Sequence, residues 1–432
     1  MSISQTFTPH QLLSLPQKDV LVKEFVGKSL NELRTPAFVL DRAIFASNCA
    51  RMHAKARQWG ASFRAHLKTH KTAEGTRLQL ISDADKTGAV VVSTLMEAWQ
   101  VVNSGLVSEG TINDILYGLP VAINKIADLS KLWEEVSSYG CTVRLLIDNA
   151  VQVKALEEFE KTLPEGRLWS VFIKCDGGQR QVEELVPGSP AFIELLKAAF
   201  ASPAVDVYGF YAHAGNSYAS TSLDEASSFL SSEVQVVNQA AELAKAFVSA
   251  DDARPSFVLS VGSTPTAHSA SAEARERLKE LLHGTLELHA GNYPLLDLQQ
   301  LHTTLIDRQR IAQRVLSTVI SYYPGRGADG SDEAMCDAGG IAMSKDTGPS
   351  GGFGDVIGKA WRLGRVSQEH GVLTRTKDGN GDTTLEVGDV IGIVGQHACM
   401  IAAAYPWYYI VDSSPAEESS KVVDVWVPWK GW

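Results

Sequence analysis

Eight short apolar segments, each separated from the next by a segment with helical spacing, constrain the fold of this chain more than any other feature. Regular alternation of strands and helices favours parallel strands joined by crossover helices. Eight such units over roughly the expected length favour a closed (β/α)8 barrel over the alternative, an open doubly wound sheet. The strand candidates are Ala61–Lys68, Gly88–Thr94, Asp114–Pro120, Thr142–Asp148, Ser170–Asp176, Val207–Gly215, Phe257–Thr266 and Thr285–Tyr293.

After Arg308 the sequence changes to short β-prone runs separated by glycine-rich loops. We therefore predict an α/β chain in which a barrel at residues 35–305 is followed by a mostly β C-terminal domain. That domain comprises residues 306–432 together with residues 1–34, and Ala37–Leu40 is a strand candidate ahead of the barrel. The β-prone runs are Leu316–Tyr323, Val372–Arg375, Leu385–Ile393, Trp407–Val411 and Val422–Val427.

Composition excludes several classes of protein. The 432 residues are 44% hydrophobic and 21% charged, as in an ordinary globular protein with a large core. The net charge of -11 leaves no basic face for nucleic acid. No apolar stretch approaches the ~18 residues of a membrane span, and the polar N-terminus shows no secretory signal. Five scattered cysteines without a Cys-x-x-Cys pair indicate a reducing, cytoplasmic location.

The first strand candidate ends in a basic motif, Arg-Ala-His-Leu-Lys-Thr-His-Lys, at residues 64–71. If the strand continues, His66, Lys68 and His70 share one face and Lys71 points the other way. Active sites of barrels lie at the C-terminal ends of the strands. Neighbouring imidazoles and Arg64 favour the neutral, nucleophilic form of a lysine. Lys68 is therefore a candidate Schiff-base residue for an aldehyde cofactor such as pyridoxal phosphate; the alternative is a basic surface turn.

Two glycine-containing loops predict a phosphate site. Residues 260–266 end the seventh strand candidate, and residues 290–293 end the eighth. Glycines let backbone N–H groups approach an anion, and the nearby hydroxyls and amide add donors. Barrel enzymes frequently bind phosphate with the loops after strands seven and eight. The alternative is a pair of ordinary Gly/Ser/Thr turns.

A histidine and a cysteine two residues apart predict a metal site. His397 and Cys399 end the apolar run Val387–Val394, and strand alternation would place both on one face. Imidazole and thiolate together suit zinc, and two protein ligands leave positions open for water or substrate. The alternative is a buried cysteine beside a histidine in a core strand.

Three further residues are candidate cofactor contacts on the rim of the barrel. Arg180 follows the fifth strand candidate, and Tyr211 and His213 belong to the sixth. A cation near the pyridine nitrogen would limit its protonation, which makes Arg180 the most informative of the three. Each could instead complete a turn or cap a helix.

These motifs, in this order from Thr35 to Cys399, carry a resemblance to a known family. The chain resembles the D-serine dehydratase / D-threonine aldolase family of alanine-racemase-like (fold type III) pyridoxal-phosphate enzymes, and especially the eukaryotic-type zinc-dependent D-serine dehydratases. It departs from the family pattern at Ala65 and at His289-Ala290. The matching stretches are Thr35–Asp41, Arg64–Lys71, Ser93–Leu95, Glu97-Ala98, Tyr211–Asn216, Gly262–Thr266, Gly291–Tyr293 and Gly395–Cys399.

The resemblance implies specific roles. Lys68 would carry pyridoxal 5'-phosphate and act as the base at Cα, and Zn2+ would bind His397 and Cys399. In this family a His-x-Cys pair resembles the dehydratases, whereas the aldolases have His-x-Asp. The phosphate would lie on Gly262, Ser263, Thr264, Gly291 and Asn292.

The expected activity is therefore that of a carbon–oxygen lyase, which eliminates water from D-serine to give pyruvate and ammonia. Hydroxide is a poor leaving group, so a metal has a clear purpose in elimination and none in racemisation. Two alternatives remain: retro-aldol cleavage of D-threonine or other β-hydroxy-D-amino acids, and a non-catalytic pyridoxal-phosphate carrier, which would resemble the barrel alone. By the same resemblance we expect a homodimer.

Overall fold

The computed structural model describes residues 6–176, 186–248, 256–276, 282–376, 382–414 and 419–432. The chain divides into two compact units. The barrel unit comprises Met1–Ser14, Ala50–Gly291 and Trp429–Trp432, and the sheet unit comprises Leu15–Cys49 and Asn292–Pro428. No helix in the described part of the chain has the length and apolar character needed to cross a bilayer.

The strands and helices of the described residues are as follows. In chain order the strands are β1 (Ala37–Asp41), β2 (Ser62–His66), β3 (Ala89–Val92), β4 (Asp114–Pro120), β5 (Thr142–Ile147), β6 (Trp169–Lys174), β7 (Val205–Ala212), β8 (Phe257–Val261), β9 (Gly284–Ala290), β10 (Gln313–Tyr323), β11 (Glu333–Cys336), β12 (Gly354–Val356), β13 (Trp361–Val366), β14 (Gly371–Arg375), β15 (Val390–Gly395), β16 (Tyr408–Val411) and β17 (Asp424–Trp426). The α-helices are α1 (Lys18–Phe25), α2 (Arg42–Gln58), α3 (Ala73–Leu80), α4 (Leu95–Asn103), α5 (Ile126–Ser137), α6 (Ala150–Glu160), α7 (Pro190–Ala201), α8 (Leu223–Ala244), α9 (Thr264–Ser269), α10 (Ala272–Glu276), α11 (Leu298–His302), α12 (Gly340–Met343) and α13 (Ala398–Ala402). Short 3-10 turns occur at Leu30–Glu32, Ile123–Lys125, Gly215–Ala219, Lys245–Phe247 and Arg308–Arg310.

Strands β2 to β9 form a closed parallel barrel, with neighbours in sequence order and β9 returning to pair with β2. This confirms the predicted (β/α)8 barrel. The observed strands end earlier than several candidates did. The first ends at His66, the seventh at Val261 and the eighth at Ala290. The motif residues beyond these points lie in loops or, for residues 264–266, in the first turn of α9.

Several helices of the barrel unit begin at hydroxyl side chains that accept backbone N–H groups. Thr72 accepts from Gly75, and Thr94 accepts from Glu97. Ser189 performs the same role before α7, and Ser222 does so before α8. Such caps satisfy otherwise unpaired donors in the first helical turn. They fix the point at which each loop ends, which positions the loops at the C-terminal ends of the strands.

The sheet unit is mostly β, as predicted. Its nine strands follow the order β11-β14-β13-β12-β15-β10-β1-β16-β17, and β10 also pairs with β11. Strand β1 pairs antiparallel with β10 and parallel with β16, which groups it with the sheet. The predicted barrel limits of 35–305 had grouped it with the barrel. Apolar side chains on one face bury a core of Leu30, Leu33, Ala37, Val39, Leu316, Tyr409, Val411, Val422 and Val425.

Candidate active site

Lys68 lies in the turn that follows β2, and its side chain is half-buried. The predicted strand alternation of His66, Lys68 and His70 is wrong, because β2 ends at His66. His70 is instead fully buried, with Nε2 2.7 Å from Gln79 Oε1 and Nδ1 3.0 Å from Thr72 Oγ1. His70 therefore stabilises the turn and the start of α3, and Lys68 projects from a loop.

The loop after β9 lies directly against Lys68. A Cβ atom added at Gly291 would lie 3.3 Å from Lys68 Cε and 3.3 Å from His66 Cβ. A side chain there would crowd the lysine, so glycine leaves the space that Lys68 occupies. The structure thus brings together two residues that the sequence analysis had selected independently.

Three imidazoles around Lys68 are held neutral. Burial is the largest cause and lowers the pKa of His66, His213 and His289; that of His213 falls to about 4. The charge of Lys68 lowers all three further. The surroundings of the lysine are therefore uncharged imidazoles at neutral pH.

His289 is buried near the C-terminal end of β9. Its ring stacks on Tyr211 with centroids 4.2 Å apart and an interplanar angle of 7°. Its Nδ1 is 3.0 Å from Ser260 Oγ, whereas its buried Nε2 has no hydrogen-bond partner among the described residues. Burial also raises the pKa of the Tyr211 hydroxyl, which stays protonated. A buried, unpaired imidazole nitrogen is costly unless a bound group supplies its partner.

Arg64 is fully buried inside the barrel and is committed to two carboxylates. Its Nε lies 2.8 Å from Glu287 Oε1, and its Nη1 lies 2.6 Å from Asp114 Oδ1. Asp114 also accepts from Arg144 at 2.7 Å. The two carboxylates therefore offset the positive charge of Arg64, which was predicted to favour the neutral form of Lys68. The arginine instead links the strands of the barrel.

Lys71 is an ion-pair residue. Its Nζ lies 2.9 Å from Oε1 of the buried Glu97. The strand alternation from which its direction was predicted does not reach Lys71, because β2 ends at His66. Glu97 also accepts the backbone N–H of Ser93 at 2.8 Å, and Ser93 Oγ lies 2.8 Å from His66 Nε2. Glu97 thereby links the loops after β2 and β3. Glu97 belongs to the Glu97-Ala98 motif, from which no role was predicted for its side chain.

The loop after β8 fits a tight turn that only glycine permits. Gly262 has φ +139°, and an added Cβ would lie 2.2 Å from the carbonyl oxygen of His289. The next residue, Ser263, caps α9, and its hydroxyl lies 2.7 Å from Ser217 Oγ. His213 Nδ1 donates to the Gly262 carbonyl at 2.7 Å. This places the predicted residues Gly262, Ser263 and Thr264 in one buried turn whose backbone His213 holds.

A buried glutamate beside the same turn was missed by sequence reasoning. Glu233, on α8, accepts the backbone N–H of Ala214 at 2.5 Å. Burial raises its pKa to about 8, although backbone and hydroxyl donors oppose the shift. A charged residue at an apolar position of an amphipathic helix was the one available signal.

The predicted metal pair lies at a strand-to-helix junction. The assignment of His397 and Cys399 to one strand face is wrong, because β15 ends at Gly395 and His397 caps α13. The two side chains still meet. Burial opposes protonation of His397, but its hydrogen bond to Cys399 and the charge of Cys399 raise the pKa of the imidazole to about 9. Within the described ranges, no cluster of three or more metal-ligand side chains occurs.

Asp297 organises this junction and was also missed. Its Oδ2 accepts the backbone N–H of Ala398 at 2.8 Å and the side-chain amide of Asn292 at 2.6 Å. Its Oδ1 accepts from the Gln300 backbone at 2.9 Å, which caps α11. The cap pattern was the only sequence signal. The Asn292 amide, predicted to contact phosphate, is thus engaged by Asp297 within the sheet unit.

The remaining predicted site residues fall in three places: the barrel unit, the residues outside the described ranges, and the boundary between the two units in the sequence. Tyr211 and His213 lie in the barrel unit beside Lys68 and Gly262, as described above. Arg180 lies outside the described residues. Asn292 belongs to the sheet unit, whereas Gly291 ends the barrel unit.

The fold and these residues define the class of protein. A parallel barrel with a lysine loop after its first strand, followed by a β unit, is the alanine-racemase-like fold; the alanine racemase of Corynebacterium glutamicum shares it at a TM-score of 0.53 and 17% identity. A family model described as a putative serine dehydratase domain matches residues 312–411.

Two curated relatives narrow the class to a family. The chain is 44% identical to the D-serine dehydratase of Schizosaccharomyces pombe, over 96% of each protein. It is 36% identical to that of Saccharomyces cerevisiae, covering 96% of this chain and 100% of the relative. The chain belongs to the D-serine dehydratase family, which confirms the resemblance seen in the sequence. The solved D-threo-3-hydroxyaspartate dehydratase from Delftia sp. HT23 is 28% identical with a TM-score of 0.75, covering 94% of this chain and 100% of that one.

Proposed function

We propose that this protein is a pyridoxal-phosphate- and zinc-dependent lyase that converts D-serine to pyruvate and ammonia. The proposal is supported by the coexistence of two features in a chain that is 44% identical to a D-serine dehydratase. Lys68 lies against Gly291, and His397 lies beside Cys399. The first feature supplies a nucleophilic amine in a glycine-lined site. The second supplies ligands for an electrophile.

The residues of the barrel unit fit pyridoxal phosphate. Lys68 would hold its aldehyde carbon, and the turn at Gly262, Ser263 and Thr264, with Gly291, would receive its phosphate. The unpaired Nε2 of His289 is a buried polar atom that a polar cofactor can satisfy. Tyr211, His213 and Arg180 remain proposed contacts of the cofactor, as does Asn292. When bound, this cofactor supplies an electron sink for negative charge formed at the substrate Cα.

The donor set at residues 397 and 399 fits zinc. Imidazole nitrogen and thiolate sulfur are preferred zinc ligands, and two protein ligands leave positions open. A cysteine-to-alanine variant of D-threo-3-hydroxyaspartate dehydratase, 28% identical, was solved in a metal-free form. Asp297 would orient the pair through the backbone of Ala398. When bound, zinc supplies a Lewis acid for a hydroxyl leaving group.

Residues of the protein itself carry out the proton transfer of the proposed reaction. Lys68 Nζ is the proposed base that takes the α-proton of D-serine. Neutral His66 and His213 surround it and add no positive charge that would compete for the site. Elimination then expels the β-hydroxyl, a step that needs an electrophile and separates this reaction from racemisation.

The decisive experiment combines product analysis with mapping of the cofactor lysine. D-serine should give pyruvate and ammonia, and L-serine should give neither. Borohydride reduction followed by peptide mapping should place the modification on Lys68. Lys68→Ala should lose the label and at least about a thousandfold of the turnover, whereas Lys71→Met is the matched control that keeps the label.

The alternatives predict different products. Glycine and acetaldehyde from D-threonine, without pyruvate from D-serine, would replace the dehydratase by an aldolase. A protein that holds the cofactor and turns over no D-amino acid would be a carrier. The β sheet unit argues against a carrier, which would resemble the barrel alone.

We also propose a cytoplasmic homodimer that binds no nucleic acid. No disulfide joins any of the five cysteines, all of which lie among the described residues, in keeping with a reducing compartment. Sedimentation velocity should give twice the 46.7 kDa chain mass; a monomer that retains full activity would contradict the dimer.

A further inference from the structure

The sheet unit contains a cavity of 490 Å³ that the proposed reaction does not use. Four basic side chains line it: Arg308, Arg314, Lys359 and Arg362. Asp355 is the one carboxylate among its described lining residues. A cavity of this volume is within the range of small-molecule sites, roughly 300–1,000 Å³.

The ion pairs leave positive charge uncompensated. Arg308 and Arg362 share Asp355, at 2.5 and 3.4 Å, so two cations face one anion. Lys359 is neutralised by Asp382 at 3.0 Å. No hydrogen bond or ion pair joins the Arg314 guanidinium to another residue that the structure describes. Among the described residues, the four lining cations therefore exceed their two carboxylate partners, Asp355 and Asp382, by two charges.

Arg314 is poorly compensated by its surroundings. It lies on β10, and a Cβ added at Gly392 on the paired strand would lie 3.3 Å from its Cδ. Burial lowers its pKa, and Asp41 opposes this only at a distance. A bound anion would reverse this cost. Beside it on β10, Gln313 also lines the cavity.

Part of the wall is apolar, and Thr376 and Gln313 add uncharged polar groups. Ile311, Val356, Ile357 and Val394 line the cavity between the basic groups. An inorganic anion would leave these surfaces without contacts, whereas a carbon skeleton between two anionic groups would cover them. Guanidinium groups bind carboxylates through paired, charge-assisted hydrogen bonds.

We propose that this cavity, lined by Arg308, Arg314, Lys359 and Arg362, is a binding site for a small organic dianion such as a dicarboxylate. The ligand would place one anionic group on Arg314 and the other on the Arg308–Arg362 pair. Its carbon chain would lie on the four apolar side chains. The site is separate from Lys68 and from the His397–Cys399 pair in its residues, and it does not depend on the proposed activity.

Calorimetric titration of the full-length, cofactor-loaded protein at low ionic strength tests this. Glutarate should bind with a defined stoichiometry, and its neutral analogue glutaramide should not. Arg314→Gln should weaken glutarate binding about tenfold or more, since one charge-assisted contact is lost. D-serine turnover should be unchanged in that variant.

Arg365→Gln is the matched control, because Arg365 lies on β13 outside the cavity and pairs with Glu333 at 2.8 Å. It should bind glutarate as the wild type does. Inorganic phosphate and pyrophosphate test whether the site requires a carbon skeleton or only negative charge. If either inorganic anion binds as tightly as glutarate, the proposal of an organic ligand is wrong. If Arg314→Gln does not fold, the thermal midpoint of the wild-type protein with and without each ligand still tests the proposal. A rise with glutarate and none with glutaramide supports the site, and no difference between the two refutes it.

Discussion

At the scale of single residues, the position of the Lys68 amine depends on the residues that surround it. The lysine is not part of a strand, and its position is set by the turn that His70 stabilises and by the space that Gly291 leaves. Both are backbone features of loops. Single-residue changes in these loops should therefore affect catalysis more than folding.

Gly291→Ala should displace Lys68 by a few tenths of an ångström, because the new Cβ would lie 3.3 Å from its Cε. Misplacement of reacting groups lowers turnover, and we expect a roughly 10- to 100-fold lower kcat/KM for D-serine. Gly166→Ala is the control, since nothing lies within 4 Å of its added Cβ. Equal kcat/KM for both variants, with equal thermal midpoints, would contradict this role for Gly291.

At the scale of elements, buried charged groups connect strands that are remote in sequence. Arg64 on β2 bonds to Glu287 on β9 and to Asp114 on β4. These bonds cross the inside of the barrel and fix the relative positions of its strands. Such pairs are costly to break, since the remaining partner keeps a buried charge.

Glu287→Gln should reduce the free energy of unfolding by about 3 kcal/mol, because Arg64 would retain Asp114 alone. Urea unfolding monitored by circular dichroism measures this. Glu158→Gln removes an exposed partner of Lys161 and should leave stability nearly unchanged. Similar losses in the two variants would show that the interior pair does not hold the barrel together.

Helix α8 introduces a pH dependence through Glu233. Its folded pKa is raised to about 8 from 4.5, so the folded state keeps a proton that the unfolded chain releases. Unfolding therefore releases this proton, and Glu233 contributes a negative slope of stability against pH between about 4.5 and about 8. Buried histidines with a lowered pKa, such as His213, contribute a slope of the opposite sign.

Glu233→Gln should remove the slope that Glu233 contributes, with a thermal midpoint above that of the wild type at pH 8 and near it at pH 5. Thermal unfolding across this range provides the test. Glu242→Gln, exposed on the same helix, should keep the slope of the wild type. A Glu233→Gln slope identical to that of the wild type would show that the glutamate ionises in the folded protein as freely as in water.

At the scale of the whole molecule, the lysine proposed for one cofactor and the residue pair proposed for the other belong to different units of the chain. Lys68 belongs to the barrel unit, whereas His397 and Cys399 belong to the sheet unit. Their binding should therefore be separable by experiment.

A strong chelator should abolish D-serine breakdown and leave the visible absorbance of the bound cofactor in place. Zinc should restore turnover. The measurement is metal content, absorbance and pyruvate formation on the same samples. Full activity after complete zinc removal would refute the role of the metal, and loss of the absorbance would show that the two sites are linked.

The sequence determined the local features of this protein. The alternation of apolar and helical segments predicted eight barrel strands and a later β unit, because periodicity is a property of neighbouring residues. The glycine and histidine motifs predicted Lys68, Gly262 and Gly291 as candidate cofactor residues and the His397–Cys399 pair as a candidate metal site. These motifs are also patterns of neighbouring residues. Each of these signals lies within a few residues of the chain.

Only the tertiary structure decided where strands end and which charges meet. Strands β2 and β15 stop at His66 and Gly395, so extrapolating strand alternation to His70 and to Cys399 failed. The partners of Arg64 and Lys71 lie on other elements, and Glu287 is 223 residues from Arg64. Such pairs depend on how elements close in space, and no local pattern encodes them. The roles of Glu233 and Asp297, and the basic cavity around Arg314, became visible for this reason only in the folded chain.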